Sequence, residues 1–233
     1  MAYVEFKNVS KHYNLGEVIT KALDDASFQI EKGELVTIVG PSGSGKSTAL
    51  NILGGMDSVT KGEVFVDGVE ISKYNDKELV SYRKNNIGFV FQFYNLIQNL
   101  TVKENLELAA SRTTEKKDLN GLLKEVGLED KMNNFPSQLS GGEQQRVSIA
   151  RAFAKSPKIL LCDEPTGALD YESSKQVLRL IEQTNKEYGV TTIIITHNEA
   201  ITPFSDKVIK FKSGKVVSIK KNKKRVSIDD LEW

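Results

Sequence analysis

The sequence predicts an α/β protein with a mainly parallel sheet, an N-terminal antiparallel β layer and a helical insertion. An apolar, β-branched segment at 35–39 is followed by a glycine-rich loop and a helical segment. Several short β segments precede that first helix, and buried strands alternate with helices in the second half of the chain. Alternating strands and helices favour a parallel sheet, whereas consecutive short strands favour an antiparallel one.

The composition is that of a folded globular chain. Its 233 residues suffice for one large domain or two small ones, and a net charge of +1 provides no global basic field for nucleic acid or anionic lipid. The single cysteine, Cys162, excludes an internal disulfide framework and fits a reducing cytoplasm. We expect no signal peptide and no membrane span, because no apolar run approaches the ~18 residues that a span needs. Attachment to a membrane would then require a partner.

The N-terminal β layer is predicted from two segments. Residues 3–9 alternate between polar and apolar side chains, which predicts a strand, and residues 22–30 predict a second one. The polar stretch 10–20 predicts a turn around Gly16. Tyr13 has two interpretations, because its ring could pack at the strand end or stack on a nucleotide base.

The glycine-rich loop fits G-x-x-x-x-G-K-[ST], the phosphate-binding P-loop, and predicts a P-loop NTPase core. The matching residues and the one that follows are Gly40, Pro41, Ser42, Gly43, Ser44, Gly45, Lys46, Ser47 and Thr48. Glycines let N–H groups turn toward phosphate oxygens, and the helix N-terminus adds partial positive charge. Lys46 can reach the β- and γ-phosphates, and Ser47 can ligate Mg²⁺. A surface turn would match the same pattern, but the flanking strand and helix favour a site for nucleoside triphosphate.

A strand and a helix are predicted after the P-loop helix. Residues 62–68 predict a strand closed by an Asp-Gly turn, and Asp76 is predicted to cap a helix that ends near Lys84. The next buried strand, at 87–91, ends at Gln92.

The stretch 86–135 predicts a helical insertion between the two halves of the core. Thr101 and Glu104 have the spacing of a capping box at a helix start. Residues 115–135 predict a second, short helical pair with Gly127 as a break.

The segment 139–146 begins another helix and carries two adjacent glycines. Ser140 and Glu143 have capping-box spacing, so a well-capped helix is one interpretation. Gly141 and Gly142 favour a second anion-binding helix start, because each glycine costs ~1 kcal/mol against alanine inside a helix and is useful where a phosphate approaches the backbone.

Two carboxylates end the apolar strand at 158–164. Asp163 can hold Mg²⁺ through its water shell, and Glu164 is placed to orient or polarise an attacking water. A solvated turn is the alternative, but the edge of an α/β sheet at the carboxyl ends of its strands is where ligands bind.

The last predicted elements are a helix from Glu172 to about Tyr188, a buried strand ending before His197 and a hairpin at 208–219. A histidine at a strand end is often structural, although contact with a γ-phosphate is plausible at this edge. The basic run 220–225 favours a solvated tail over contact with lipid or a partner.

Taken in this order, the motifs resemble those of the ATP-binding subunit of an ABC transporter, over roughly residues 3–219. The P-loop corresponds to Walker A, residues 163–164 to Walker B and residues 139–143 to the ABC signature. Four more motifs of the family fall on single residues, namely Tyr13 (A-loop), Gln92 (Q-loop), Asp170 (D-loop) and His197 (H-loop). Residues 88–92 and 163–170 resemble the branch that serves lipoprotein release and macrolide or peptide efflux. Asn198 stands where that branch commonly has Asp.

The resemblance implies one ABC ATPase domain at 1–219, with a helical subdomain at about 93–150 and a charged C-terminal tail at 220–233. It implies two copies that dimerise head to tail around two ATP. Each P-loop would then face the signature of the other copy, which consists of Leu139, Ser140, Gly141, Gly142 and Glu143.

The resemblance also implies residue roles in ATP hydrolysis. Glu164 would activate water, while His197 and Gln92 would sense the γ-phosphate and Mg²⁺. The implied metal ligands are Ser47, Gln92 and Asp163, and the implied cofactors are ATP and Mg²⁺.

The implied partner is an integral-membrane permease, with a large extracellular domain as a further expectation, and no nucleic acid. The protein would lie at the cytoplasmic face of the membrane and drive export or extraction of a peptide, antibiotic or lipophilic substrate. Apolar residues just after Gln92 would suit a groove for a permease helix, although some could be core: Phe93, Tyr94, Leu96 and Ile97.

Three alternatives compete with a transporter. A non-transport ABC ATPase acting on ribosomes or DNA is disfavoured by the single P-loop and by the ~90 residues without sustained heptads between Lys46 and Ser140. A cell-division or sensor complex remains open, because the difference would lie in the partner. A P-loop nucleotide kinase is disfavoured by the signature.

Overall fold

The computed structural model describes residues 2–16, 18–111 and 117–231, with only the backbone described for Leu15. Its strands are β1 (Val4–Leu15), β2 (Val18–Ile30), β3 (Leu35–Val39), β4 (Lys61–Val66), β5 (Val69–Glu70), β6 (Ile87–Val90), β7 (Ile159–Asp163), β8 (Thr191–Thr196), β9 (Lys207–Lys212) and β10 (Lys215–Lys221). Its α-helices are α1 (Lys46–Leu53), α2 (Asp76–Asn86), α3 (Val102–Ala110), α4 (Leu119–Glu125), α5 (Gly141–Phe153) and α6 (Tyr171–Tyr188). Short 3₁₀ turns occur at Ile71–Lys73, Glu129–Lys131, Pro136–Gln138, Glu199–Phe204 and Ile228–Asp230.

The larger sheet has the strand order β10-β9-β3-β8-β7-β6. The pairs from β9 to β6 are parallel, and β9–β10 is an antiparallel hairpin. Every residue of β3 and β8 is buried, as expected for strands covered on both faces. Parallel pairing places the carboxyl ends of β3, β8, β7 and β6 side by side at one edge.

The smaller sheet is antiparallel and has the order β2-β1-β4-β5. The predicted Asp-Gly turn joins β4 to β5, with Asp67 and Gly68 both at positive φ (52° and 77°), as a tight hairpin requires. The predicted polar turn at 10–20 is too long. Strands β1 and β2 extend as a ribbon to the pair Leu15–Val18, because backbone hydrogen bonding continues where the apolar alternation has ended.

Two apolar clusters cover the faces of the larger sheet. One lies between that sheet, α1 and the antiparallel layer, and includes Phe6, Phe28 and Leu50. The other lies between the opposite face and helices α3 to α6, and includes Leu106 and Phe153.

The helical region departs from the predictions in two places. The strand β6 pairs with β7 inside the sheet, so the insertion does not begin at 86. The N-cap of α2 is Asn75, in a capping box with Glu78, because the Asn75 side chain rather than that of Asp76 accepts the first N–H groups. Residues 115–116 of the predicted second helical pair lie outside the described residues. The boundary at 93–150 stays a prediction.

The C-terminal segment returns to the domain after β10. Asn222 donates to the carbonyl oxygens of Thr202 and Ser205, and Ile228 and Leu231 are buried in the cluster with α6. The basic run 220–225 is mostly exposed, as expected for a solvated segment, but Ile228 and Leu231 after it bury against α6. Trp233 lies outside the described residues.

In the part of the chain that the structure describes, no helix has the length and apolar character needed to cross a bilayer.

Candidate functional site

The sheet brings four predicted loops to one edge. The P-loop follows β3, His197 follows β8, Glu164 follows β7 and Gln92 lies just beyond β6. These strands are consecutive neighbours in a parallel sheet, with Val39 paired to Thr196 and Asp163 to Ile195. Residues far apart in sequence are thus placed at one edge of the sheet, where other α/β proteins bind ligands.

The P-loop ends in a helix start without a side-chain cap. Gly45 is the N-cap of α1 at φ 99°, and no side chain among the described residues caps the helix there. A Cβ on Gly45 would lie 2.4 Å from the Ala22 carbonyl oxygen, so only glycine fits. The Lys46 Nζ donates to the carbonyl oxygens of Gly40 and Pro41 at 2.8 and 3.0 Å. The N–H groups and an ammonium therefore converge on one place, which suits a polyphosphate.

The acidic pair lies beside that ammonium. Burial and the neighbouring Glu164 raise the pKa of Asp163. Burial lowers the pKa of Lys46, although Glu164 and Asp163 oppose this effect. Ions of both signs are thus held close to a partly dry surface, where charge on a bound phosphate would interact strongly.

The Glu164 backbone is strained, and its side chain has a defined partner. Its φ is 47°, a left-handed value that costs glutamate about 1–2 kcal/mol. Its N–H donates to the Ile195 carbonyl oxygen at 3.0 Å, and its Oε1 lies 3.0 Å from Nδ1 of the exposed His197. The turn aims the carboxylate away from the strand and toward His197.

Tyr13 lies beside α1 at the edge of the antiparallel sheet. Its hydroxyl donates to Asp57 at 2.6 Å, and burial together with this carboxylate raises the pKa of Tyr13. Thr48 is a further hydrogen-bonding neighbour of the hydroxyl. The position beside Thr48 is compatible with base stacking, which stays a prediction.

Gln92 packs against the loop after β7. A Cβ on Gly167 would lie 3.0 Å from the Gln92 Nε2 and 3.4 Å from the Glu164 Cβ. The loops that carry Gln92 and Glu164 therefore touch.

The signature segment forms a different kind of helix start. Ser140 is the N-cap of α5, and its hydroxyl accepts from the Glu143 N–H at 3.3 Å while Glu143 accepts from the Ser140 N–H at 2.8 Å. Lys131 pairs with Glu143 and lowers the pKa of the Glu143 carboxyl group. The Leu139 side chain is buried. The capped-helix interpretation is thus realised, whereas anion binding at this helix start stays a prediction.

The two glycines of the signature lie close to side chains of neighbouring segments. A Cβ on Gly141 would lie 2.6 Å from the Tyr94 hydroxyl, and one on Gly142 would lie 2.8 Å from the Ser173 Oγ. Among the described residues, the side-chain hydrogen bonds and close glycine contacts of the signature are with other parts of the domain, and none is with the P-loop.

Asp170 is held as the N-cap of α6. Its carboxylate accepts from the Ser173 N–H at 2.9 Å and from the Ser173 hydroxyl at 2.7 Å, and these bonds lower the pKa of Asp170. The predicted D-loop role is untested, and the observed role is to start α6 beside Gly142.

The donor set fits a magnesium ion. Asp163, Gln92 and Ser47 offer the oxygen ligands that Mg²⁺ prefers, and the burial of Asp163 disfavours its charged form when no cation neutralises it. The described residues contain no cluster of three or more His, Cys, Asp or Glu side chains placed to hold a metal. Mg²⁺ commonly binds through one or two carboxylates plus phosphates and water, so such a cluster is not required.

Gln145 is not among the predicted site residues, yet it contacts the two loops that carry Gln92 and Glu164. Its side chain is buried and donates to the carbonyl oxygens of Phe91 and Pro165. A signal was present, since Gln145, Ile149 and Phe153 are spaced four apart and a polar residue on that apolar stripe requires hydrogen-bonding partners.

Comparisons with known proteins agree with this geometry. Residues 23–167 match the family described as ABC transporter. The chain is 45% identical over 222 residues to an uncharacterised ABC transporter ATP-binding protein of Methanocaldococcus jannaschii, covering 91% of this chain and 94% of that protein. It is 44% identical over 241 residues to the macrolide export ATP-binding/permease protein MacB of Haemophilus ducreyi, covering 97% of this chain but 34% of that protein.

A solved structure extends the similarity to the fold. The dimeric structure of a post-hydrolysis state of an ATP-binding cassette bound to ADP and Pi has a TM-score of 0.86 and 42% identity, covering 94% of this chain and 98% of that one. This likeness confirms the predicted fold class.

Proposed function

The chain belongs to the ABC transporter family of ATP-hydrolysing cassettes, and from this premise we propose that it is a motor subunit that dimerises around two ATP to drive a membrane permease. The observation that carries the proposal is that the P-loop and the signature form two distinct helix starts, α1 and α5, in a chain 42% identical to a dimeric ATP-binding cassette. Each helix start supplies part of a phosphate site. Among the described residues, the close contacts of Gly141 and Gly142 are not with the P-loop. A head-to-tail dimer would complete two sites at once.

The proposed ATP contacts follow from the P-loop geometry. The N–H groups at the start of α1 and the ammonium of Lys46 bind the β- and γ-phosphates, and Tyr13 stacks on the base. Ser47, Gln92 and Asp163 hold Mg²⁺, which neutralises charge on the phosphates when bound.

The proposed hydrolysis step uses Glu164 as the group that orients the attacking water and accepts its proton. His197 holds the Glu164 carboxylate through the 3.0 Å contact at Nδ1 and senses the γ-phosphate. Gln92 reports the state of this site to the loop that follows it. Hydrolysis removes the bridging γ-phosphate and lets the dimer reopen.

A groove beyond Gln92 supports the permease contact. It has a volume of about 260 Å³, and its apolar lining includes Phe91, Ile97, Leu108 and Ala109. Nearby, Phe93 is 74% exposed, whereas Leu96 is buried and belongs to the core. A large aromatic side chain in solvent beside an apolar groove favours a binding surface for a permease helix.

The class of transport is proposed from similarity. MacB of Haemophilus ducreyi is a macrolide export protein, so export or extraction of an antibiotic, peptide or lipophilic substrate is the proposed direction. The permease, its extracellular domain and the location at the cytoplasmic face are parts of the same proposal.

The test is affinity purification of tagged Glu164→Gln protein from detergent-solubilised cells with ATP and Mg²⁺. We expect this variant to bind ATP normally and to lose about 10²–10⁴ in kcat, because the general base is gone. A polytopic membrane protein should copurify, and a Glu164→Gln/Phe93→Asp control should lose it while still binding ATP.

Two results would contradict the proposal. Hydrolysis by Glu164→Gln at the parental rate would remove the assigned role of Glu164. Recovery of ribosomes, nucleic acid or soluble proteins alone would replace the transporter with a non-transport ABC ATPase, and a membrane protein without transport activity would indicate a cell-division or sensor complex.

A further inference from the structure

Gln145 spans two loops of the site from inside the core. It lies in the second turn of α5, and its side chain is 0% exposed. Its Nε2 lies 2.8 Å from the Pro165 carbonyl oxygen and 3.2 Å from the Phe91 carbonyl oxygen. One amide nitrogen thus joins α5 to the ends of two neighbouring strands.

The two carbonyl groups adjoin the proposed reacting side chains. Phe91 immediately precedes Gln92, and Pro165 immediately follows Glu164. The Glu164 backbone is left-handed, so the direction of its carboxylate depends on the turn that Pro165 continues. A shift of either carbonyl group would move a side chain at the edge of the sheet.

The chemistry of this contact requires an amide. An NH₂ group has two hydrogens and can satisfy two carbonyl oxygens. Glutamate would offer only acceptors to these carbonyl groups. Leucine would remove the Gln145 donor from the Pro165 carbonyl oxygen and leave the Phe91 carbonyl oxygen with the Tyr94 N–H at 3.3 Å.

We propose that Gln145 is a positioning residue that couples the start of α5 to Gln92 and Glu164 of the same chain. Ser140 and Gln145 lie on one helix about 7.5 Å apart along its axis. A displacement of the Ser140 end by a second copy is therefore transmitted through Gln145 to the loops at Phe91 and Pro165. The coupling presupposes the proposed roles of Gln92 and Glu164.

The test compares Gln145→Leu, Gln145→Glu and Gln145→Met with the parent in steady-state hydrolysis of Mg²⁺-ATP. We expect kcat to fall at least about tenfold, because misplacing reacting groups by a fraction of an ångström has effects of this size. The KM for ATP should stay within about twofold, since the P-loop is untouched. Gln145→Met fills a similar volume without hydrogen-bond donors, and its kcat tests the proposal if the other two variants fail to fold.

Asn185 provides the matched control. It is 3% exposed, and its Nδ2 donates to the carbonyl oxygens of Gly33 and Val190 at 3.0 and 2.7 Å, at the end of α6 away from the P-loop. Asn185→Leu should lower the melting temperature as Gln145→Leu does, yet keep the parental kcat where it is folded.

A Gln145→Leu/Glu164→Gln double variant separates coupling from dimerisation. It should still form a dimer with ATP, because both nucleotide-facing surfaces are intact.

Three results would overturn the proposal. An unchanged kcat in the Gln145 variants, with Glu164→Gln inactive, would remove the coupling and leave the proposed function standing. A fall in kcat that Asn185→Leu matches would indicate general destabilisation. Parental activity in Glu164→Gln would remove the proposed function and the coupling with it.

Discussion

The N-termini of α1 and α5 look alike in sequence and differ in structure. Both begin at glycines, and both were predicted to bind phosphate. The α1 start has a left-handed Gly45 as its N-cap and no side-chain cap among the described residues. The α5 start is closed by the reciprocal hydrogen bonds of Ser140 and Glu143. In the described part of the chain, the α1 start has no side-chain cap, whereas the α5 start already satisfies two N–H groups internally.

The glycines of the two helix starts also serve different neighbours. Gly45 lets the P-loop approach the backbone of β2, while Gly141 and Gly142 let α5 approach Tyr94 and Ser173. At α5 the close contacts are with side chains, whereas at Gly45 the closest contact is with a backbone oxygen. The Ser140 hydroxyl uses one acceptor lone pair in its bond to the Glu143 N–H, so its O–H can still donate to a phosphate.

The largest expected effect is at the α1 start. Gly45→Ala should lower the free energy of unfolding by about 3 kcal/mol or more and abolish ATP binding, because its Cβ would collide with a backbone oxygen at 2.4 Å. Gly43→Ala is the control, since its Cβ would meet nothing within 4 Å and only the strain of φ 74° remains, about 1–2 kcal/mol. Thermal unfolding and nucleotide titration measure both, and equal losses in the two variants would contradict the close-packing explanation.

Lys46→Ala tests whether α1 binds ATP without help from α5. Loss of a charged hydrogen-bond donor should weaken ATP binding by the monomer roughly 10–100-fold, equivalent to about 1.5–3 kcal/mol. Isothermal titration of the monomer measures this affinity. Parental affinity would mean that the ammonium does not contact the phosphates.

Ser140→Ala tests the opposite helix start. The capping bond should contribute about 1 kcal/mol to stability, and ATP binding by the monomer should not change. ATP-dependent dimerisation should fail, because in the proposed dimer the Ser140 hydroxyl contacts the nucleotide of the second copy. Thr101→Ala removes the same type of capping box from α3 and should lose similar stability while the dimer still forms. If both variants dimerise equally well, α5 has only a capping role.

The smallest effect is expected far from both helix starts. Burial disfavours ionisation of Asp206, but two hydrogen bonds from Arg225 and one from the Leu35 N–H outweigh it and lower its pKa. Arg225→Ala should cost about 1 kcal/mol at pH 7 without changing ATP affinity. A carboxylate whose pKa is lower in the folded state stabilises the fold at pH values above its ordinary pKa of about 3.9. This stabilisation is lost as the pH falls through the folded-state pKa. The difference in melting temperature between parent and variant should therefore shrink below about pH 4, and a constant difference would contradict the ion pair.

The positions of the candidate site residues in the chain are predictable, because these residues directly follow apolar strands. A run such as Ile159–Cys162 ends in Asp163 and Glu164, and parallel strands place their ends together. The β-hairpin turns at Asp67 and Ser213 were equally visible, since each is followed by glycine.

Other features depend on tertiary contacts that sequence patterns do not encode. The ribbon at 10–20 has no apolar alternation, so its strands are fixed only by pairing. Burial of Ile228 and Leu231 depends on the anchors at Asn222 and Arg225, which are indistinguishable from a charged tail in sequence. Gln145 gains its role from the Phe91 and Pro165 carbonyl groups, which lie 54 and 20 residues away.

The most direct measurement is the solution mass of the Glu164→Gln protein with Mg²⁺-ATP, by light scattering after size exclusion. The proposed composite site predicts a doubling of mass with ATP, no doubling with ADP, and loss of the doubling in Glu164→Gln/Ser140→Ala. A single mass under all conditions, or a dimer that forms equally with ADP and without Ser140, would contradict a nucleotide held between the α1 start of one copy and the α5 start of another.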